Sequence, residues 1–373
     1  MTARVYLDHA ASAPLDPRVF EAMRPYLDCA NPSALHASGR KAATALTEAR
    51  ERLAGYLSVA RQNLTFTSGG TEANNLAVYG ATAAHPGGHL LASPTEHPSV
   101  LAPLRRLAEQ PAWELEWLPL DVWGQVTPEA LSSALRPDTR LVAIQRVNNE
   151  TGLIQPIELL GPICQSNGVL LLVDAAQAAA VLPLDPLDWQ VDLMTLSGHK
   201  LHGPKGSGLL YCRSGLELSP LLLGGGQERG LRSGTENIAA AQGLAQAFDL
   251  LAEEREARLA HLGNLQNLLY ESLAGCGQPV LPLEAPKAPQ INSFMFPGAR
   301  AQRLLMRLDL AGFEAGSGSA CSLGNDEPSP VMKALGYSDA EAISVLRFSL
   351  GKDNRREEVT ALVHCLKGLM EAS

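Results

Sequence analysis

From residue 64 onward, short apolar runs alternate with stretches of helical spacing, and this alternation constrains the fold more than any other feature of the chain. Leu64–Thr67 and His89–Ser93 are brief and β-rich. Arg140–Gln145 and Val169–Val173 are nearly unbroken apolar runs of the kind buried on both faces of a sheet, and Asp192–Leu196 and Gly208–Cys212 follow. Helical segments separate most of them. The pattern predicts an α/β fold with a mostly parallel sheet flanked by helices. Before it, Pro17–Tyr26 and Gly39–Tyr56 read as helices divided by a break at Asn31-Pro32. After it, Ala239 to about Leu273 reads as one long helix. That helix leads to a smaller α+β unit with a strand at Ile291–Phe296, a helix over Arg300–Leu310, a loop over 316–330 and a last helix from Arg355. The division expected is a large domain over 15–260 and a small domain built from 1–14 and 261–373.

The 373 residues are ample for such a core, and 46% hydrophobic with 18% charged residues excludes disorder. A net charge of −9 argues against direct nucleic-acid or anionic-membrane binding. No signal-peptide pattern opens the chain and no apolar run is long enough to span a bilayer, which predicts a cytoplasmic protein without membrane contact. The six cysteines are scattered without a CxxC pair, so neither a disulfide framework nor a metal site is expected.

Several polar residues stand where such a fold presents its chemistry. Lys200 follows the apolar run 192–196 in Ser197-Gly-His-Lys200. A lysine partly desolvated at a strand end suits Schiff-base chemistry, although an ordinary surface lysine would occupy the same place. Asp174 ends the run 169–173, at the carboxyl end of a strand where ligands bind in parallel sheets. It suits the protonated nitrogen of a pyridine ring, or equally a helix N-cap. Thr67-Ser-Gly-Gly-Thr-Glu72 carries a strand through a Gly-rich turn into a helix starting near Thr71, a pattern suited to phosphate but without the dinucleotide or Walker spacing. His97 follows another strand-like run and suits ring stacking or proton transfer, or capping. Cys321 lies in the Gly/Ser-rich segment Ala315–Pro330, whose composition predicts a flexible loop that would let a thiol travel, or else a tight turn. Arg347, in an apolar strand-like run, suits an amino-acid carboxylate or a structural ion pair.

Taken together, in this order, these motifs resemble the cysteine desulfurases of the nitrogen-fixation and iron–sulfur-cluster type, which are class-V aminotransferase relatives among the fold-type I pyridoxal-phosphate (PLP) transferases. The resemblance runs from Tyr6-Leu-Asp-His-Ala-Ala11 and Asn31–His36 through Thr95-Glu-His97, Val147–Gly152 and Val173-Asp-Ala-Ala-Gln177. It continues to Gly224–Gly230, Arg232–Asn237, Gly318-Ser-Ala-Cys321 and Arg347–Gly351. It implies that Lys200 holds PLP covalently, that Asp174 pairs with the ring nitrogen, that Gln177 contacts the phenolic oxygen and that His97 stacks on the ring. It implies a phosphate site from Gly70, Thr71, Ser197 and His199, with Thr235 lent across a homodimer interface. Asn149 would lie beside cofactor and substrate, and Arg347 would grip the carboxylate of L-cysteine. Cys321 would take the substrate sulfur as a persulfide, leaving alanine, and pass it to an iron–sulfur scaffold or a tRNA-thiolation enzyme. Ala176 departs from the threonine that relatives often carry there. A lyase or aminotransferase on the same fold would leave Cys321 without a role, and a non-catalytic sulfur carrier would leave Lys200 without one.

Overall fold

The computed structural model describes residues 4–318 and 327–371. Its largest sheet has seven strands lying side by side in the order Leu64–Thr67, Gly208–Cys212, Leu193–Ser197, Leu170–Asp174, Thr139–Ala143, Gly88–Ala92 and Trp113–Trp117. The last five pair in parallel, and Gly208–Cys212 is antiparallel to both of its neighbours. Six strands therefore point one way and one points back, a mostly parallel sheet of the kind the sequence pattern predicts. The strand Trp113–Trp117 is the element that pattern did not reveal. It lies at the sheet edge, and its glutamates project to solvent, where Arg136 pairs with Glu114 and Glu116.

Alternate residues of each strand enter two different apolar clusters, which is how a strand buried on both faces must behave. Leu141, Ala143, Leu172 and Leu193 pack with Leu76 and Ala77 of helix Gly70–Thr82 and Val100 and Leu104 of helix Pro98–Ala108. Val142, Leu171, Val173 and Met194 face the other way, toward Leu53, Leu160, Leu244 and Phe248. These last come from helices Ala37–Tyr56, Ile157–Ser166 and Ile238–Leu273. The 36-residue helix Ile238–Leu273 packs on Ala37–Tyr56 and also on the last helix, Arg356–Glu371.

A second, antiparallel sheet is ordered Gly316–Ser317, Val345–Ser349, Ile291–Met295, Gln278–Pro279. Residues 7–10 hang on its strand Val345–Ser349. The Ser349 N–H donates to Leu7 O at 2.8 Å, and the Ala10 N–H donates to Ser349 Oγ at 2.9 Å. No helix among the described residues is long and apolar enough to cross a membrane.

Close packing leaves room for one test of the fold itself. A Cβ added at Gly161, inside helix Ile157–Ser166, would stand 1.8 Å from the carbonyl oxygen of Trp189. Gly161→Ala is expected to lower the unfolding free energy by about 1–3 kcal/mol despite its gain of ~1 kcal/mol in helix propensity. Denaturant titration reads the difference, and an unchanged or raised midpoint would contradict this packing.

Candidate active site

Because six strands point one way, their carboxyl ends share one edge of the sheet, and the loops that leave them meet there. Gly70 and Thr71 follow Leu64–Thr67, and His97 follows Gly88–Ala92. Asn149 follows Thr139–Ala143, Gln177 follows Leu170–Asp174, and His199 and Lys200 follow Leu193–Ser197. With Asp174, Ser197 and Arg347 these residues line one cavity of about 380 Å³. Ten of the residues singled out in the sequence are thus brought together. Thr235 is not among them: it lines a separate cleft of about 200 Å³ beside Ser68, Gly206 and Ser207. Cys321 lies outside the described residues. No cluster of metal-ligating side chains occurs among the described residues.

The cavity floor is a hydrogen-bonded knot centred on Asn74, which is 1% exposed. Its Nδ2 donates to Asp174 Oδ2 at 2.8 Å and to Ser99 Oγ at 2.9 Å, and its Oδ1 accepts from Thr195 Oγ1 at 2.6 Å. The second Asp174 oxygen accepts from the Ala176 N–H at 2.9 Å. These contacts fix the orientation of the aspartate side chain. Ser99 completes the chain. Its N–H donates to His97 Nδ1 at 3.1 Å, and its Oγ lies 2.7 Å from the same nitrogen. A ring nitrogen that accepts from a backbone N–H carries no proton, so the neutral His97 has its proton on Nε2. Burial, reinforced by the nearby Lys200 charge and opposed by Asp174, holds the His97 pKa below that of a free imidazole. His97 is also the N-cap of helix Pro98–Ala108, so the capping role and the cavity role coincide in one side chain.

Lys200 Nζ donates to the carbonyl oxygens of Ala10 at 2.6 Å and Ala11 at 2.9 Å. Gln177 Nε2 donates to the same Ala10 oxygen at 2.8 Å, and His199 Nδ1 lies 3.3 Å from Ser12 Oγ. The N-terminal segment thus forms one wall. On the far side Arg347, 2% exposed, donates to Asn149 O and to Asp8 Oδ1, each at 2.8 Å. The structural ion pair weighed for Arg347 is present, and the arginine reaches the cavity as well. Asn74, Ser99, Asp8 and the Ala10 and Ala11 carbonyls are the parts the sequence did not announce. A buried asparagine four residues past a Gly-rich turn was the one available signal, and it pointed to no partner.

The arrangement fits PLP by the chemistry of its groups. A fixed carboxylate, a primary amine, a neutral imidazole, and a 13-residue helix opening at Gly70 beside Ser197 and His199 supply what a pyridinium nitrogen, an aldehyde, an aromatic face and a phosphate require.

Two measurements test this geometry. In cofactor-free protein at pH 7, the imidazole ¹⁵N shifts of His97 should report a neutral ring protonated at Nε2; a proton on Nδ1, or an imidazolium, would contradict it. Asn74→Ala strands three buried partners and should cost about 1–3 kcal/mol of stability. Outside the cavity, His9 has a buried Nδ1 without a partner among the described residues, and burial with His202 nearby lowers its pKa to about 4. The unfolded chain takes up this proton near the ordinary value of 6.5, so stability should fall as pH drops from 6.5 to about 4. His9→Phe should flatten part of that slope in thermal unfolding, and an unaltered slope would refute the assignment.

The chain matches the aminotransferase class-V family model over residues 5–362. It is 37% identical to the cysteine desulfurase IscS of Dictyoglomus turgidum, with 100% of this chain and 95% of that one covered. Among solved structures it resembles a NifS-like protein (TM-score 0.92, 32% identity, 99% of this chain and 100% of that one). It also resembles SspA in complex with cysteine (TM-score 0.82, 34% identity, 93% and 98%). On this cavity, this fold and these matches, the chain belongs to the aminotransferase class-V family.

Proposed function

We propose that this protein is a cysteine desulfurase: a PLP-dependent enzyme that removes sulfur from L-cysteine, giving L-alanine and a persulfide on Cys321. The observation that carries the reading is the single cavity in which Lys200, Asp174, His97 and Arg347 meet. It is supported by the full-length likeness to a cysteine desulfurase and by the likeness to SspA, whose structure is a complex with cysteine.

Bound in the cavity, PLP supplies an electron sink for charge developed at the substrate Cα. The chain's own residues do the rest. Lys200 would hold the cofactor and move the proton at Cα. Asp174, fixed by Asn74 and the Ala176 N–H, would face the ring nitrogen, and Gln177 the phenolic oxygen. His97 would lie against the ring. Gly70, Thr71, Ser197 and His199 would hold the phosphate, with Asn149 beside cofactor and substrate. Arg347 binds the α-carboxylate with the guanidinium donors that Asn149 and Asp8 leave unused. The Cys321 thiolate attacks the substrate sulfur. The new S–S bond forms as the Cβ–S bond breaks, its electron pair stays with the substrate carbons, and protonation there yields alanine.

The reading includes a homodimer in which Thr235 serves the neighbouring phosphate site. Its cleft away from the protomer's own cavity is compatible with that role. It also includes a cytoplasmic setting, a protein sulfur acceptor for iron–sulfur assembly or thiolation, and a boundary between two domains inside helix Ile238–Leu273, whose two halves serve different sheets.

The test is product analysis of the PLP-loaded protein with L-cysteine and a thiol reductant. Alanine and sulfide should appear in equal amounts. Cys321→Ala should reduce both by at least ~10³-fold, as loss of a nucleophile does, and Lys200→Ala should lack the cofactor's covalent absorption band. Pyruvate and ammonia, or full activity in Cys321→Ala, would mean a lyase.

A further inference from the structure

A buried arginine at a ligand cavity can choose a planar carboxylate only if its own plane is held. Two contacts hold Arg347: the Asn149 carbonyl oxygen on Nη1 and the Asp8 carboxylate on Nη2, each at 2.8 Å. Asp8 is not among the residues that line the cavity, and its carboxylate meets the site through the arginine.

The position of Asp8 is itself built. The Ala11 and Ser12 N–H groups donate to its carbonyl oxygen at 3.0 and 3.2 Å, and the residue bridges Ser349, two places along the strand from Arg347. On the other flank Gly316 is the strand partner of Arg347. A Cβ there would stand 2.7 Å from Asp8 Oδ1 and 2.9 Å from Arg347 Nη2. The backbone at 316 needs no left-handed conformation, so the absence of a side chain serves space alone: any larger residue would push into the ion pair. The other acid nearby, Glu150, is spent elsewhere. Its Oε2 accepts from Ser329 Oγ at 2.5 Å, and burial pushes its carboxyl toward the neutral form. Asp8 is the one acidic side chain paired with Arg347 among the described residues.

We propose that Asp8, in the space left by Gly316, is a positioning residue for substrate recognition: it locks the Arg347 guanidinium so that the remaining donors meet the α-carboxylate of an amino-acid substrate. This rests on the reading of Arg347 as the carboxylate grip. Loss of Asp8 has two opposing effects. The guanidinium is no longer offset by a neighbouring carboxylate, which favours an anion, and it becomes free to pivot, which breaks the paired geometry of a guanidinium–carboxylate contact. Pivoting dominates, because a misaligned guanidinium forfeits one of two charge-assisted bonds. Asparagine at position 8 still presents an oxygen to Nη2 and separates holding from charge.

The experiment compares wild type, Asp8→Ala, Asp8→Asn, Gly316→Ala and Arg347→Gln as PLP-loaded proteins. The readouts are KM and kcat for L-cysteine and the Kd of the product L-alanine from the cofactor's absorption spectrum. Asp8→Ala should raise KM and the alanine Kd together by about tenfold, the scale of one charge-assisted bond, with kcat changed by less than ~3-fold. Asp8→Asn should restore both constants to within ~3-fold of wild type. Gly316→Ala, which keeps Asp8 and crowds it, should move them in the same direction as Asp8→Ala. If Arg347→Gln raises both constants while Asp8→Ala does not, the proposal fails and the role of Arg347 stands. If Asp8→Asn is as damaged as Asp8→Ala, Asp8 acts by charge and the proposal fails. If Arg347→Gln itself moves neither constant, the carboxylate grip fails first.

Discussion

A sheet covered by helices on both faces tolerates polar side chains along its strands only where they find a partner, so its free polar chemistry is driven to the strand ends. That constraint organises this molecule. Leu141, Ala143 and Leu172 serve one apolar layer while Val142, Leu171 and Val173 serve the other, and the first polar residue of the run is Asp174, at its last position. In Leu193–Ser197 the one mid-strand polar group, Thr195, is spent on Asn74, and Ser197 closes the strand before the turn to Lys200. Direction then does what burial alone does not. With six strands pointing one way, the exits from five of them open into one cavity.

Concentrating polar groups in a buried place is costly unless each finds a partner, and a network satisfied throughout becomes rigid. Asn74 meets this demand for three neighbours at once. Through Ser99 it also settles which nitrogen of His97 is bare. Glu96 shows the opposite solution. It is 2% exposed, accepts one backbone bond from Gln145, and burial pushes its pKa well above the usual carboxylate range.

Much of this was legible in the amino-acid order, because the governing signals are local. Apolar runs ending in Asp174 and preceding Lys200 announce a strand followed by a functional loop, and Pro98 after His97 announces a helix start. The unannounced parts depend on contacts between residues far apart in the chain. Asp8 and Arg347 are 339 positions apart and Asn74 and Asp174 are 100 apart, and no periodicity links such pairs. The edge strand Trp113–Trp117 was missed for a related reason: its glutamates break the apolar run that marks the buried strands. Thr235 has a place in the sequence motif but none in the cavity of its own protomer, a relation that a single chain does not express.

The wall made by residues 8–12 joins the first part of the chain to the last, for Leu7 and Ala10 bond to Ser349 while Ala10 and Ala11 receive Lys200. On the ribosome these partners appear in the order of their numbers. The segment must therefore wait, with its hydrogen-bonding groups facing water, until residue 349 has been made and released. Before then the cavity lacks both its N-terminal wall and Arg347. The pocket is thus sealed only once residues 8–12, Lys200 and the strand ending at Ser349 have all been made.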